Sequence, residues 1–317
     1  MKEIGGYFGL EQLIKKELYS NLISLNTARN ALLYLIKAKK INKIFIPYYL
    51  CNSVSDVLIS NKIDFEYYNI DAMFNPIFEK ELKENEYLYI VNYFGQINNK
   101  KISSLKHKHR RIIIDNTQAF FQTPIKGIDT IYSCRKFFGV PDGAYLSTKS
   151  RISEELSTDV SKDRMTHILG RFEGLASDYY KSFQENDKTF SGLPLMNMSK
   201  LTKNILGAID YGEIAKTRNE NYSFLERDLL KMNRLKLIGG EGAFAYPFYI
   251  KNGIDIRKKL AEQKIYIPTL WPNVLGENKA TSIEYDYAAN ILPLPCDQRY
   301  ELEDMEKIIK EVRRCIY

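Results

Sequence analysis

Two short stretches hold residue types that can do chemistry together. Asp115-Asn116-Thr117-Gln118-Ala119 follows the run Ile112-Ile113-Ile114, and Ser133-Cys134-Arg135-Lys136 follows Thr130-Ile131-Tyr132 before continuing into Gly139-Val140-Pro141-Asp142-Gly143. Each β-branched run predicts a buried strand, so both sets stand at strand carboxyl ends. In open α/β sheets ligands bind outside those ends, where a carboxylate, an amide, a hydroxyl and an amine would converge. A lysine amine forms a Schiff base with an aldehyde and becomes a free base once an amino substrate displaces it. A carboxylate beside a pyridine nitrogen keeps that nitrogen protonated, because an adjacent negative charge favours the charged form. With Lys136 and Asp115 in those two roles, the set matches the needs of a pyridoxal phosphate site. Taken singly, each residue has an ordinary alternative: Asp115 as a turn cap, Lys136 as a surface charge, Gln118 and Ser133 as partners of nearby backbone. Cys134 has no identifiable histidine partner and reads as structural.

A repeated strand and helix alternation must position these groups. Ala28 to Ala38 reads as a helix, Lys43 to Ile46 as a strand and Ser53 to Asn61 as a helix. Strands follow at Phe65 to Asn69 and Tyr87 to Val91, then the two that carry Asp115 and Ser133, then Ala144 to Ser147. Repeated βαβ units predict an α/β fold, a mostly parallel central sheet flanked by helices. Helical signal covers Ile152 to Phe183 and Leu201 to Met232, with Ser199 as a cap for the second and a polar loop at Gln184 to Pro194 between them. Ala245 to Ile250 reads as a strand, Ile254 to Gln263 as a helix, Lys264 to Ile267 as a short extended piece and Glu301 to Arg313 as an amphipathic helix. The expected division is a large domain over residues 1–200, then a connecting helix and a small α+β domain over 201–317.

Composition narrows the function classes. The chain has 317 residues, 44% hydrophobic and 27% charged, without a long low-complexity stretch, which predicts an ordinary globular protein. Met1-Lys2-Glu3-Ile4-Gly5-Gly6 lacks a basic patch followed by an apolar core, and no apolar run reaches membrane-spanning length, so a cytoplasmic location and no membrane partner are expected. The four cysteines form no C-x-x-C pair, and there are three histidines, so neither a disulfide framework nor a metal site is indicated. A net charge of +7 suits an anionic small substrate, a weak affinity for polyanions, or nothing specific. Its densest run, Lys106 to Arg111, reads either as a nucleic-acid contact or as a solvated helix end before a buried strand. No nucleic-acid recognition pattern supports the former, and no such partner is expected.

Over most of its length the chain resembles the pyridoxal-phosphate sugar aminotransferases of the DegT/DnrJ/EryC1/StrS family, which have the aspartate aminotransferase fold, fold type I. The match is strongest over Tyr132 to Ala144, around that family's Schiff-base lysine. Asp115 to Ala119 is similar to the family's D-x-A-Q-A, which implies that Asp115 meets the pyridine nitrogen and Gln118 lies near the ring's phenolic oxygen. Ile46-Pro47-Tyr48-Tyr49-Leu50-Cys51 resembles the strand end whose last residue, here Cys51, lies against the ring face; as a bare residue, Cys51 is also an ordinary small buried hydrophobe. Pro293 to Tyr300 resembles the late L-P-x-x-x-R-Y segment. Asn26 to Ala31 is similar to S-G-T/R-x-A-L at the start of the first helix. Free N–H groups and the helix dipole at Thr27 and Ala28 suit a phosphate there, and a plain N-cap at Asn26 or Thr27 explains the same residues. Ser133 is a further implied phosphate contact.

The resemblance implies a homodimer with its site at the subunit interface. The implied reaction moves an amino group, from glutamate as donor, through pyridoxamine phosphate to a nucleotide-linked keto sugar for a surface polysaccharide. Lys136 would both hold the cofactor and shuttle the proton. Departures fall in three places. Asn197-Met198-Ser199 is a contracted echo of the N-x-R-M-S stretch whose asparagine reaches the neighbouring subunit's phosphate. Ser133 precedes Lys136 as S-x-x-K in place of S-F-x-x-x-K. Asn92 replaces a family histidine, pointing to an altered substrate pocket. Other open readings are a cofactor-binding but inactive regulator or scaffold, and a pyridoxal-phosphate enzyme acting on a substrate other than a sugar. A nicotinamide enzyme would share the alternation, but no G-x-G-x-x-G follows the first strand.

Overall fold

In the computed structural model, residues 8–13 and 16–316 are described; Met1 to Gly6, read above for a leader, lie outside them. Eight strands form one sheet: β1 (Ile23–Leu25), β2 (Lys43–Pro47), β3 (Asp64–Ile70), β4 (Pro76–Ile77), β5 (Glu86–Val91), β6 (Ile112–Asp115), β7 (Asp129–Ser133) and β8 (Ala144–Ser147). Their spatial order is β1-β8-β7-β6-β5-β2-β3-β4. The five central strands β3, β2, β5, β6 and β7 run parallel, while β8, β1 and β4 attach antiparallel at the edges. Parallel neighbours need a crossover. Helix α1 (Ala28–Lys39) leads into β2, α2 (Asn52–Ser60) links β2 to β3, and α3 (Asn99–His109) links β5 to β6. The basic run from Lys106 accordingly ends a helix, with Lys106 and Lys108 on its solvated side and His109 buried. Every residue of β6 is buried, as its uninterrupted isoleucines require of a strand covered on both faces.

The middle of the chain departs from the expected pattern. No helix spans 152–165; that stretch is irregular and tied to the later segment, with Asn197 N–H donating to Ser157 O (2.8 Å) and Asp159 N–H to Asn197 O (3.0 Å). Helix α4 (Thr166–Glu173) stops at Gly174, and α5 (Tyr180–Thr189) runs through the stretch expected to be a loop. Gln184, Glu185 and Lys188 are the solvated side of that helix, so their polarity reflects exposure and not chain reversal. The predicted helix from Leu201 to Met232 is two. Helix α6 (Lys200–Leu206) begins at its expected cap, the Ser199 hydroxyl accepting from Thr202 N–H (3.1 Å), and ends at Gly207. Asp210 then caps α7 (Tyr211–Leu229) through Glu213 N–H (3.1 Å), so a cap pair interrupts an otherwise continuous apolar period.

A second core lies around β9 (Tyr246–Tyr249) and its antiparallel partner β10 (Ile291–Leu294). Against them pack Leu225 and Leu229 of α7, Ile256 and Leu260 of α8 (Gly253–Glu262), and Met305, Ile308, Ile309 and Val312 of α11 (Leu302–Ile316), whose spacing is one helical stripe. Lys264 to Ile267 forms no strand. The chain then returns to the main core through Trp271, Val274 of α9 (Asn273–Glu277) and Tyr287 of α10 (Ile283–Asn290). No helix among the described residues is long and apolar enough to cross a membrane. None of their His, Cys, Asp and Glu side chains gather in threes able to hold a metal.

Candidate active site

Thr27, Ala28, Cys51, Asp115, Gln118, Ser133 and Lys136 all line one cavity of about 190 Å³. The sheet explains the convergence. Strand β6 ends on Asp115 and β7 on Ser133, the parallel register pairing Asp115 with Val91 on one side and Ile131 on the other. One 3-10 turn, Cys134–Lys136, carries the chain from Ser133 to the lysine. Cys51 caps α2 just beyond β2, and Thr27 and Ala28 open α1.

Asp115 is buried with two donors on it. The Tyr89 hydroxyl donates to Oδ2 (2.8 Å) and Thr117 N–H to Oδ1 (2.8 Å). Burial pushes its pKa up, and these donors, with the charge of Lys136, only partly offset the rise. The Tyr89 phenol is itself held protonated, first by burial and then by Asp115, so it remains a donor. Gln118 accepts from Phe94 N–H through Oε1 (2.9 Å), which leaves its NH2 group to meet a ligand.

Lys136 is exposed and lines the cavity. Its Nζ has no hydrogen bond or ion pair among the described residues and lies 5.8 Å from the centre of the Phe244 ring. Desolvation pushes its pKa down; Cys51 and Asp115 oppose this while Arg135 adds to it. A lowered pKa moves the amine toward its nucleophilic, unprotonated form.

At the opposite wall Thr27 is both N-cap and cavity residue. Its hydroxyl accepts from Asn30 N–H (3.0 Å), and the first turn of α1 has no acidic side chain to occupy the positive end of the helix. Ser133, half-buried, has no hydroxyl partner among the described residues. Free N–H groups and an unengaged hydroxyl lining one cavity suit a phosphate. Thr27→Ala should destabilise the protein by about 1 kcal/mol through the lost cap, and should weaken binding of pyridoxal phosphate more than binding of pyridoxal. Thermal melts and titration with both compounds check this.

Several cavity residues escaped sequence reasoning: Tyr89, Thr117, Arg29, Arg135, Asp187 and Trp271. Thr117 sits inside the first motif, in the turn after β6, and Tyr89 inside a predicted strand, where strand alternation could have found it. Asp187 comes from the expected loop, where it pairs with Arg135 (3.2 Å), whose guanidinium lies 3.6 Å from the centre of the Phe190 ring. Trp271 enters from far along the chain. Other expected features lie elsewhere. Asn92 is wholly buried, donating to Asn116 and Gln122 and accepting from Ile97 N–H, and is not among the residues that line this cavity. The Asn197 amide donates to Leu156 O (2.7 Å) in its own chain, and Ser199 is committed to Asp142 and the α6 cap. From the Pro293 to Tyr300 segment, Gln298 donates to Phe137 O (2.8 Å), bracing the loop behind Lys136.

No family model and no curated protein matches the sequence. Solved structures do match the fold. A DegT DnrJ EryC1 StrS aminotransferase from Brucella abortus is 13% identical with a TM-score of 0.63, covering 92% of this chain and 85% of the other. NtdA from Bacillus subtilis with bound cofactor PMP is 14% identical with a TM-score of 0.65, covering 93% and 73%. DesI in the presence of its TDP-sugar product is 12% identical with a TM-score of 0.65, covering 92% and 80%. The chain has the fold of these aminotransferases, a mostly parallel sheet flanked by helices.

Proposed function

We propose that this chain is a pyridoxal-phosphate-dependent aminotransferase of the DegT/DnrJ/EryC1/StrS type, moving an amino group from glutamate to a keto sugar carried on a nucleotide. The observation that carries the proposal is one cavity holding an unpaired, desolvated lysine, a buried carboxylate and an acid-free helix N-terminus. Those three groups fit the cofactor's aldehyde, ring nitrogen and phosphate in kind. When bound, the cofactor supplies the electron sink that makes the substrate's C–H bond acidic.

The protein's part is binding, orientation and proton transfer. Lys136 would be the residue that holds the cofactor and, with its amine free, would carry the proton to and from the reacting carbon. Asp115, fixed by Tyr89 and Thr117, accepts the ring N–H and keeps that nitrogen protonated. The start of α1 at Thr27 and Ala28, with Ser133, would hold the phosphate, and Gln118 and Cys51, which line the same cavity, would contact the ring. The identity of the sugar as a nucleotide-linked one draws support from the product named for DesI. The Asn197 amide gives one N–H to Leu156 O within its own chain, which leaves its second N–H for any contact with a neighbouring subunit.

The test is the visible spectrum of purified protein with added pyridoxal phosphate, before and after glutamate. A lysine-bound band that glutamate converts to the pyridoxamine form, and that a nucleotide keto sugar restores, is the expected result. A protein that never develops the band does not hold the cofactor, and the proposal falls.

A further inference from the structure

The chain contains a single tryptophan, and it stands in the cavity with Lys136 and Asp115. Trp271 is held there by several independent contacts. Its ring lies 4.5 Å from that of Tyr49 at 89° and 5.5 Å from that of Tyr93 at 72°. The Tyr93 hydroxyl donates to Tyr49 O (2.6 Å), locking the two tyrosines together, and Asn273 Nδ2 donates to Leu50 O (3.0 Å), pinning the segment beside Cys51. Trp271 has a φ of 56°, in the left-handed region, although it is bulky and precedes Pro272. Such a residue avoids that region, and proteins keep one there where the surrounding contacts fix it, most often at a functional site.

Part of the side chain remains open to the cavity, and its indole N–H has no partner among the described residues. An aromatic face beside a free N–H donor is what recognises a pyranose: ring C–H groups pack on the π-surface while a hydroxyl accepts the hydrogen bond. Glutamate offers no comparable apolar face. We propose that Trp271 is the specificity-determining wall on which the acceptor sugar stacks. This rests on the amino-transfer reading above and goes beyond it by assigning the acceptor half of the site to one residue.

Its position also makes it the reporter. Protein loaded with pyridoxamine phosphate is titrated with UDP-N-acetylglucosamine, dTDP-glucose, UDP and dTDP while the emission of the lone tryptophan is followed. Calorimetry repeats the titrations on the wild type, Trp271→Ala and Trp271→Phe. The expected result is a saturable emission change with at least one nucleotide sugar. Its affinity should fall about tenfold in Trp271→Ala, the upper end for one aromatic contact, and less in Trp271→Phe, which keeps a face but loses the N–H. Affinity for the parent nucleotide should move less than about twofold, which makes the loss specific to the sugar. Unchanged sugar affinity in Trp271→Ala overturns the inference, and so does an equal loss for sugar and bare nucleotide, which would mean stacking of the base. If nothing in the panel binds while glutamate still converts the cofactor, the sugar acceptor is wrong and Trp271's role falls with it. If sugar binding depends on Trp271 but glutamate converts nothing, the amino-transfer reading alone fails.

Discussion

Lys136→Ala should lower turnover by about 10⁴-fold, the upper end for loss of a positioned general base, and should remove the covalent lysine band altogether. The two readouts separate attachment from proton transfer. On the proposed function, the α1 terminus, Ser133 and Asp115 would still hold pyridoxal phosphate, so the variant should bind it noncovalently, with the free-aldehyde spectrum. Lys136→Arg should do no better, because a guanidinium stays charged and offers no nucleophilic lone pair. The same substitution makes an opposite prediction for stability without cofactor. The folded-state pKa of Lys136 lies below its unfolded value of 10.5, so over that window the native state binds fewer protons than the unfolded chain. Stability therefore rises as pH increases through the folded pKa toward 10.5. Cofactor-free Lys136→Ala should be at least as stable as wild type at pH 7, with a flatter stability profile on the alkaline side. Melts across pH, set beside the activity loss, check both. A variant that merely misfolded would lose stability as well as turnover.

What the sequence made legible followed from local pattern. Uninterrupted Ile112-Ile113-Ile114 could only be a strand covered on both faces, and such strands end at the ligand crevice, so the position of Asp115 was readable from a handful of residues. Ser199 was readable as a cap because capping chemistry is local. Long-range geometry was not. Trp271 and Asp187 reach the cavity through packing between distant segments, and neither periodicity nor turn chemistry encodes such contacts. The middle of the chain failed for a related reason. Residues 152–165 spend backbone hydrogen bonds on Asn197, a partner far along the sequence, and tertiary bonding overrode a helical composition. At Gly207 to Asp210 the signals were present, a glycine stop and an aspartate cap, but the apolar period on either side outweighed them.

Asp115→Asn isolates the other half of the site. Asparagine keeps the shape and an acceptor for Thr117 N–H, but removes the negative charge that would hold the ring nitrogen protonated. Lys136 is untouched, so the lysine-bound band should still form. Turnover should nonetheless fall by about 10²–10³-fold, the size typical of losing one preorganised electrostatic stabiliser. The stability change has the reverse sign. Burial raises the folded pKa of Asp115 above its unfolded value of 3.8, so its contribution is fully present below that unfolded value and is lost as pH rises through the folded pKa. Above that pKa the cofactor-free wild type has lost this contribution, a loss that asparagine, which does not titrate, avoids. Cofactor-free Asp115→Asn should therefore melt no lower than wild type at pH 7, and its advantage should shrink as pH falls toward 4. Two donors, Tyr89 from β5 and Thr117 from the loop after β6, fix the carboxyl, and on the proposed function they would aim it at the cofactor's ring nitrogen. An Asp115→Asn protein that turned over at the wild-type rate would mean that this aim serves the fold alone.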